Sequence, residues 1–159
     1  MTFTNASENL DPTVESIQRL NADDQLALLW FFYTDIKDKL RPGNAIDTGM
    51  DLANALIHQV QQLSADEQLQ AQRDVVNRTD NQISRTYGSF SASAKLAFWY
   101  RLSQEIEQGT VVPVPANYKL PDEAQNLFDT FKSLDFEEQI ALVRKAVFPM
   151  GTQPREGVI

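Results

Sequence analysis

Apolar residues recur along this chain with the spacing of α-helices, and residues 26–33 show the pattern most strongly. Four of these eight side chains are aromatic. At about 100° per residue, six of the eight residues form two stripes on opposite sides of a helix. The first stripe consists of Leu26, Leu29, Trp30 and Tyr33, and the second of Leu28 and Phe32. A helix that is apolar on two faces is typical of an element buried between packing partners.

Residues 96–103 repeat this pattern. One stripe consists of Leu96, Trp99, Tyr100 and Ser103, and the other of Phe98 and Leu102. The two stretches together hold both tryptophans and two of the four tyrosines of the chain. Rings at helical spacing usually form a packed core, and the alternative is a flat hydrophobic ligand held between them.

Capping residues delimit the helices. Asp11 is followed by a proline, which predicts a helix start there, after a flexible N-terminus at 1–10. Ser64 with Glu67 three residues later is a capping box. With the apolar period, such signals predict a short helical turn within 79–90 and longer helices at about 11–20, 22–40, 47–63, 64–78, 91–109, 121–133 and 135–148.

Residues 110–121 connect two of these helices and contain three prolines. Proline excludes this segment from a central strand, so we expect an extended connection. Its apolar content is high for a loop, and we interpret it as a structural crossover that packs across the domain. No strand period is sustained elsewhere. The sequence therefore predicts an all-α fold of seven or eight helices, with one domain at 11–151 and a linker-like tail at 152–159.

Composition excludes several classes of function. The net charge of −8 argues against a nucleic-acid-binding protein, which needs a basic patch. The chain has no cysteine, so it has no disulfide framework and no thiolate metal site. Its first residues do not form a signal peptide, and an apolar run of eight residues is too short to span a membrane. We expect a soluble cytoplasmic protein.

A search for catalytic chemistry finds no motif. The single histidine, His58, has Ala55 three residues before it, where a di-iron bundle would need a glutamate. Phosphate-binding loops, dinucleotide fingerprints and nucleophile elbows are missing from the sequence. Neither an enzyme nor a metal site is expected.

Arg144 places a guanidinium on the apolar stripe of the last predicted helix, beside Ile140, Val143 and Val147. One interpretation is that its aliphatic stem packs while its head reaches the helix C-terminus. The other is that Arg144 anchors a partner, because arginine is favoured in ion pairs at interfaces. The residues alone leave both interpretations open.

Several segments, in order, resemble one known family. The segments are residues 21–33, 85–87, 98–102 and 108–109, Pro113 to Pro115 with Tyr118, and Arg144 to Val147 with Met150-Gly151. The set resembles the N-terminal domain of the orange carotenoid protein and the helical carotenoid proteins of cyanobacteria. The similarity extends from about residue 20 to residue 151. It implies two interleaved four-helix bundles with a keto-carotenoid of the canthaxanthin or echinenone type between them, and a bound chloride as a secondary expectation.

The resemblance also implies which residues contact the carotenoid. They come from both aromatic helices, the proline-rich connection and the last helix, and the stripes described above contain most of them. The implied carotenoid-binding residues are Leu26, Trp30, Tyr33, Leu96, Trp99, Tyr100, Ser103, Ile106, Val114, Pro115, Tyr118, Ile140, Ala141, Arg144 and Val147.

Three positions depart from the family. Gln72 and Arg73 stand where it has smaller or sulphur-containing residues at one end of the pigment, and Ser103 stands where it has a glycine. The resemblance further implies that this chain lacks the second, sheet-containing domain that covers half of the carotenoid. The pigment would then be partly exposed, or covered by a partner such as a separate carotenoid-carrier domain.

The leading hypothesis is photoprotection by a bound carotenoid that takes up the energy of singlet oxygen and loses it as heat. Direct quenching of phycobilisomes, with Arg144 as the partner-binding residue, is the alternative within this hypothesis. In that case the protein would associate with phycobilisomes or thylakoids. A helical interaction module without pigment is the alternative outside it.

Overall fold

The computed structural model describes residues 6–40, 49–115 and 118–152. All regular structure in these ranges is helical, which confirms the predicted all-α class. The helices are α1 (Ala6–Gln18), α2 (Ala22–Ile36), α3 (Met50–Gln61), α4 (Ala65–Asn77), α5 (Gln82–Gly88), α6 (Ala92–Gln108), α7 (Asp122–Ser133) and α8 (Phe136–Val147). A 3₁₀ turn at Lys37–Lys39 follows α2. The predicted start of the third helix at residue 47 or 48 lies outside the described residues.

Local caps account for several of the helix ends that the sequence predicts. Asn21 Oδ1 accepts a hydrogen bond of 2.8 Å from the Asp24 N–H at the start of α2. Ser64 and Glu67 form both bonds of a capping box at α4, and Asp135 forms the same box at α8. Gly109 ends α6 with a φ of 85°, a left-handed conformation that favours glycine.

The first helix begins earlier than the sequence predicts. α1 starts at Ala6, so the expected start at Asp11 is wrong, and Pro12 lies inside the helix. A buried stripe that contacts α8 explains the extension. The stripe consists of Leu10, Val14 and Ile17. Because it begins before the proline, burial of Leu10 extends the helix across Pro12, although the proline removes one backbone donor.

The buried face of α3 also differs from the expected one. From their four-residue spacing, the sequence predicts that Leu52, Leu56 and Val60 share one face of this helix, but Leu52 is 54% exposed. The buried residues are Ala53, Leu56, Ile57 and Val60. Their spacing of three and four residues continues along one side of the helix, and Leu52 falls outside that side.

The two aromatic helices occupy the centre of the fold. α2 contacts α4, α6 and α7, while α6 contacts α2, α3 and α8. On the second face of α2, Leu28 is fully buried and Phe32 stacks on Phe131 of α7 at a ring distance of 4.0 Å. This confirms that α2 is buried on two faces. The division into two interleaved four-helix bundles stays a prediction.

Candidate functional site

A wide cavity of about 490 Å³ lies beside the first half of α2. Its wall combines residues from α2, α4, α6 and the proline-rich connection. The wall consists of Leu26, Ala27, Trp30, Phe31, Gln72, Ile106, Glu107, Pro113, Val114, Pro115 and Tyr118. Its volume lies within the range of small-molecule sites.

A narrow cavity of about 40 Å³ lies between α2, α6 and α8. Its wall is almost entirely apolar and contains the second tryptophan. The wall consists of Phe32, Tyr33, Ile36, Leu40, Leu96, Trp99, Tyr100, Ser103, Ile140 and Val143.

The two cavities follow one another along the same pair of helices. On α2 the wide cavity takes residues 26–31 and the narrow cavity the residues from Phe32 onwards. On α6 the order is reversed, because Ile106 lines the wide cavity and Trp99 the narrow one. The helices therefore run antiparallel beside one extended site. From Leu26 to Ile36 this site covers about 15 Å at the helical rise of about 1.5 Å per residue.

A row of rings joins the two cavities. The Tyr33 ring lies 5.6 Å from the Trp30 ring and 6.0 Å from the Tyr100 ring. Trp99 packs instead against Phe98 and Tyr87, and no ring pair in the described part of the chain joins the two indoles. The two tryptophans therefore pack against different neighbours, Trp30 against Tyr33 and Trp99 against Phe98 and Tyr87.

Buried hydrogen bonds fix the ring of Trp99. Its Nε1–H donates to Tyr87 Oη at 2.9 Å, and the Tyr87 hydroxyl donates to the Val147 carbonyl at 2.6 Å. Tyr87 is fully buried, and burial raises its pKa well above the ordinary tyrosine value. Since the hydroxyl stays neutral, it can act as both donor and acceptor and hold the indole in one orientation.

A buried lysine supports the same end of the site. Lys95 is 1% exposed, and its Nζ donates to the Phe148 carbonyl at 2.6 Å. The ammonium also lies 4.4 Å from the centre of the Phe148 ring. Burial lowers the pKa of Lys95. A positive charge at this position satisfies a terminal carbonyl of α8 and complements the helix dipole.

A polar group closes the side of the site between α2 and α6. The Tyr33 hydroxyl donates to Glu107 Oε1 at 3.1 Å, and Lys37 pairs with the other carboxylate oxygen. The bonds from Lys37 and Tyr33 lower the pKa of Glu107, with Lys37 as the larger cause. Burial is the larger cause that raises the pKa of Tyr33, and the hydrogen bond to Glu107 raises it further. The Tyr33 ring is therefore tied to α6 at the junction of the two cavities.

The proline-rich connection is held across the wide cavity by two glutamines of α4. Gln68 Oε1 accepts from the Val112 N–H at 3.0 Å, and Gln72 Nε2 donates to the Val112 carbonyl at 2.7 Å. The Tyr118 hydroxyl donates to Asp24 of α2. The segment therefore crosses the domain, as expected, and also forms one wall of the wide cavity.

Three of the implied site residues do not line either cavity. Val147 is fully buried and meets the site through its carbonyl, which accepts from Tyr87. Ala141 and Arg144 lie on α8 and are partly buried. Arg73, one of the departures, pairs with Asp23 through two hydrogen bonds and does not line the cavity.

The structure adds wall residues that sequence reasoning did not assign to the site. Some carried a signal: Ile36 and Leu40 continue the stripe of Tyr33 at three and seven residues, and Val143 follows Ile140 by three. Tyr87 lines neither cavity but supports the wall through Trp99, and helical spacing gave no sign of this role, because it depends on contacts with α6 and α8.

Known proteins resemble this chain in sequence and in fold. Residues 3–153 match the pattern of the family described as orange carotenoid protein, N-terminal. The chain belongs to this family.

Three relatives illustrate the match. An orange carotenoid-binding domain-containing protein of Nostoc sp. strain PCC 7120 is 42% identical over 142 residues, which is 89% of this chain and 83% of the relative. The orange carotenoid-binding protein of Synechocystis sp. strain PCC 6803 is 38% identical over 148 residues, 93% of this chain but 47% of the relative. The red carotenoid protein of Anabaena (Nostoc) sp. PCC 7120 binding canthaxanthin has a TM-score of 0.80 at 44% identity, with 91% of this chain and 99% of that chain covered.

Two kinds of feature are absent from the described residues. No group of carboxylates and histidines in the described residues could hold a metal ion. None of the described helices is long and apolar enough to cross a membrane.

Proposed function

We propose that this protein binds a keto-carotenoid and acts in photoprotection. The observation that carries the proposal is the pair of ring-lined cavities that follow α2 and α6 as one extended site. A polyene is long, flat and almost without hydrogen-bonding groups, so walls of rings and branched aliphatic side chains suit it. The relative that binds canthaxanthin shares both sequence and fold with this chain.

The chain's own part in this function is to hold, orient and shield the pigment. Trp30 and Tyr33 would stack on it from α2, and Trp99 and Tyr100 from α6. The proposed contacts comprise all the carotenoid-binding residues implied by the family resemblance, with Phe32, Ile36 and Val143 added from the cavity walls. The pigment supplies the photochemistry, since it accepts excitation energy and releases it as heat. No bond chemistry by the protein is proposed.

The two cavities differ in how well they already fit a pigment. The wide cavity has room for a ring end, whereas about 40 Å³ in the narrow cavity holds only a few water-sized spheres. Entry of a polyene therefore requires side chains at the junction to move, and Tyr33 lies at that junction.

Expression in a canthaxanthin-producing host tests the proposal. The purified protein should be coloured and should show a red-shifted carotenoid absorption band. A double variant, Trp30→Ala with Trp99→Ala, should lose most of the bound pigment. A folded wild-type protein without colour would contradict the proposal and favour the pigment-free helical module.

Quenching of singlet oxygen is the proposed activity. It predicts that the pigment-loaded protein shortens the phosphorescence lifetime of singlet oxygen in solution, while the pigment-free protein has little effect. Equal lifetimes with both forms would remove this activity but leave pigment binding intact. We propose that the protein carries out this activity in the cytoplasm.

Quenching of phycobilisomes is the second candidate activity, and Arg144 favours it. The Arg144 Nε is buried and has no hydrogen-bond partner among the described residues. A buried guanidinium nitrogen without a partner is costly, so a carboxylate from a phycobilisome or a carrier domain would stabilise it.

Fluorescence of isolated phycobilisomes with the pigment-loaded protein tests this activity. Arg144→Glu should abolish quenching, whereas Arg85→Glu, a change at an exposed arginine on α5, should retain it. Absence of quenching by the wild type would exclude the antenna function.

A further inference from the structure

The wall of the wide cavity contains few polar side chains, and most of them are already engaged. Apart from the partly exposed indole of Trp30, they are Gln72, Glu107 and Tyr118. Glu107 accepts hydrogen bonds from Tyr33 and Lys37. Tyr118 commits its hydroxyl proton to Asp24. Gln72 is therefore the polar wall residue whose hydrogen bonds decide whether the cavity wall can bind a polar group of a ligand.

Gln72 is nearly buried, yet only part of its amide has a partner. The residue is 3% exposed, and its Nε2 donates to the Val112 carbonyl at 2.7 Å. A carbonyl can only accept, so the amide nitrogen must face Val112 and the assignment of the two amide atoms is fixed. Among the described residues, none donates a hydrogen bond to Gln72 Oε1. An amide that lines an apolar cavity with an unused acceptor and an unused N–H is a site for an oxygen-bearing ligand.

We propose that Gln72 determines which ring end the wide cavity accepts, by hydrogen bonding to an oxygen on the terminal ring of the carotenoid. This inference rests on the proposed function. A ring hydroxyl can donate to Oε1 and accept from the free N–H, whereas a ring carbonyl can only accept from the N–H. A hydrocarbon ring leaves the buried amide without a partner, which a site of this kind disfavours. Either oxygenated ring is therefore preferred over a hydrocarbon ring at this end of the site.

Gln68 provides a matched control, because it shares the structural role of Gln72 without lining the cavity. Both glutamines hold the backbone of Val112: Gln68 Oε1 accepts from the Val112 N–H, and Gln72 Nε2 donates to the Val112 carbonyl. Only Gln72 lines the wide cavity. A change at Gln68 therefore loosens the proline-rich segment without removing the polar group from the cavity wall.

Competition between three carotenoids tests the proposal. The pigment-free protein is mixed with equal amounts of zeaxanthin, with a hydroxyl on each ring, canthaxanthin, with a carbonyl on each ring, and β-carotene, with neither. Bound pigment is then extracted and quantified. The wild type should prefer both oxygenated pigments over β-carotene about tenfold. Gln72→Leu should reduce the preference to about onefold, and Gln68→Leu should keep it.

A second measurement does not depend on how well the leucine variant folds. With canthaxanthin bound, the Raman carbonyl stretch of one ring should lie at lower frequency in the wild type than in Gln72→Met, a change that preserves side-chain length. Equal carbonyl frequencies in the wild type and Gln72→Met would overturn the proposed role of Gln72. In the competition experiment, the role would be overturned if Gln72→Leu kept the pigment preference of the wild type, or if Gln68→Leu lost the preference to the same extent as Gln72→Leu. Failure of the wild type to bind any of the three pigments would instead overturn the proposed function itself.

Discussion

The two ends of the candidate site hold their tryptophans in different ways. At the narrow end Trp99 is 5% exposed, its N–H is bound by buried Tyr87, and Lys95 closes the adjacent end of α8. At the wide end Trp30 is partly exposed, and the facing wall is a proline-rich segment without helical structure. Two glutamines hold this segment through the backbone of a single residue, Val112.

Because of this difference, we expect the narrow end to contribute mainly to the stability of the fold and the wide end mainly to the choice of pigment. Buried hydrogen bonds at the narrow end form before any ligand arrives, so their loss should destabilise the protein. The wall of the wide end depends on a loop, whose position can adjust to a ligand with little effect on the core. We therefore expect large stability changes from variants at the narrow end and changes in pigment preference from variants at the wide end.

Removal of the two indoles should show the largest contrast. Trp99→Ala should lower the free energy of unfolding by about 3–5 kcal/mol, because it leaves a cavity among Tyr87, Phe98 and the α8 side chains. Trp30→Ala should lower it by less than half as much, since that indole is already partly exposed. Urea unfolding of the pigment-free variants measures both values. Equal losses would contradict the distinction between the two ends.

Loss of the Tyr87 hydroxyl should have the next largest effect. Tyr87→Phe keeps the ring but leaves the Trp99 N–H unpaired in the interior, which costs about 1–3 kcal/mol. It also removes one of the two hydrogen bonds that the Val147 carbonyl accepts, and the bond from the Met150 N–H remains. Tyr100→Phe is the control, because that ring is only partly buried. Thermal or urea unfolding distinguishes the two. A Tyr87→Phe protein as stable as the control would show that the hydroxyl does not hold the narrow end.

The buried lysine should give the narrow end a pH signature. Burial lowers the pKa of Lys95, so between this folded value and the ordinary lysine value of about 10.4 the unfolded chain binds a proton that the folded protein has released. Stability contributed by this group therefore rises with pH through that window. The free energy of unfolding of the wild type, relative to Lys95→Met, should increase as the pH approaches about 10.4 from below. A constant difference across the window would contradict burial of the charge.

Arg73 should give the smallest effect, although it stands at a position where the family lines one end of the pigment. Its guanidinium pairs with Asp23, and the two side chains are 32% and 31% exposed. Such a pair contributes at most about 1 kcal/mol. Arg73→Met should therefore change stability slightly and leave the absorption maximum of bound pigment unchanged. A spectral shift as large as that of Trp30→Ala would place Arg73 in the site.

Local signals in the sequence predicted most of the secondary structure. Asn21, Ser64 and Asp135 cap helices through bonds to residues three positions later, so their effect depends on neighbouring residues alone. The same is true of the aromatic stripes, which follow from helical periodicity. The start of α1 could not be predicted in this way, because burial of Leu10 against α8 outweighs the local signal of Pro12.

The sequence by itself therefore determined the helical class, the caps and the ring-bearing faces of α2 and α6. Only the tertiary structure decided what surrounds those faces. Tyr87 reaches Val147 across 60 positions, and Gln72 reaches Val112 across 40. Such contacts form when packing brings distant helices together, and no local pattern specifies them. For the same physical reason, the volumes of the two cavities and the unused amide oxygen of Gln72 emerge only from the folded chain.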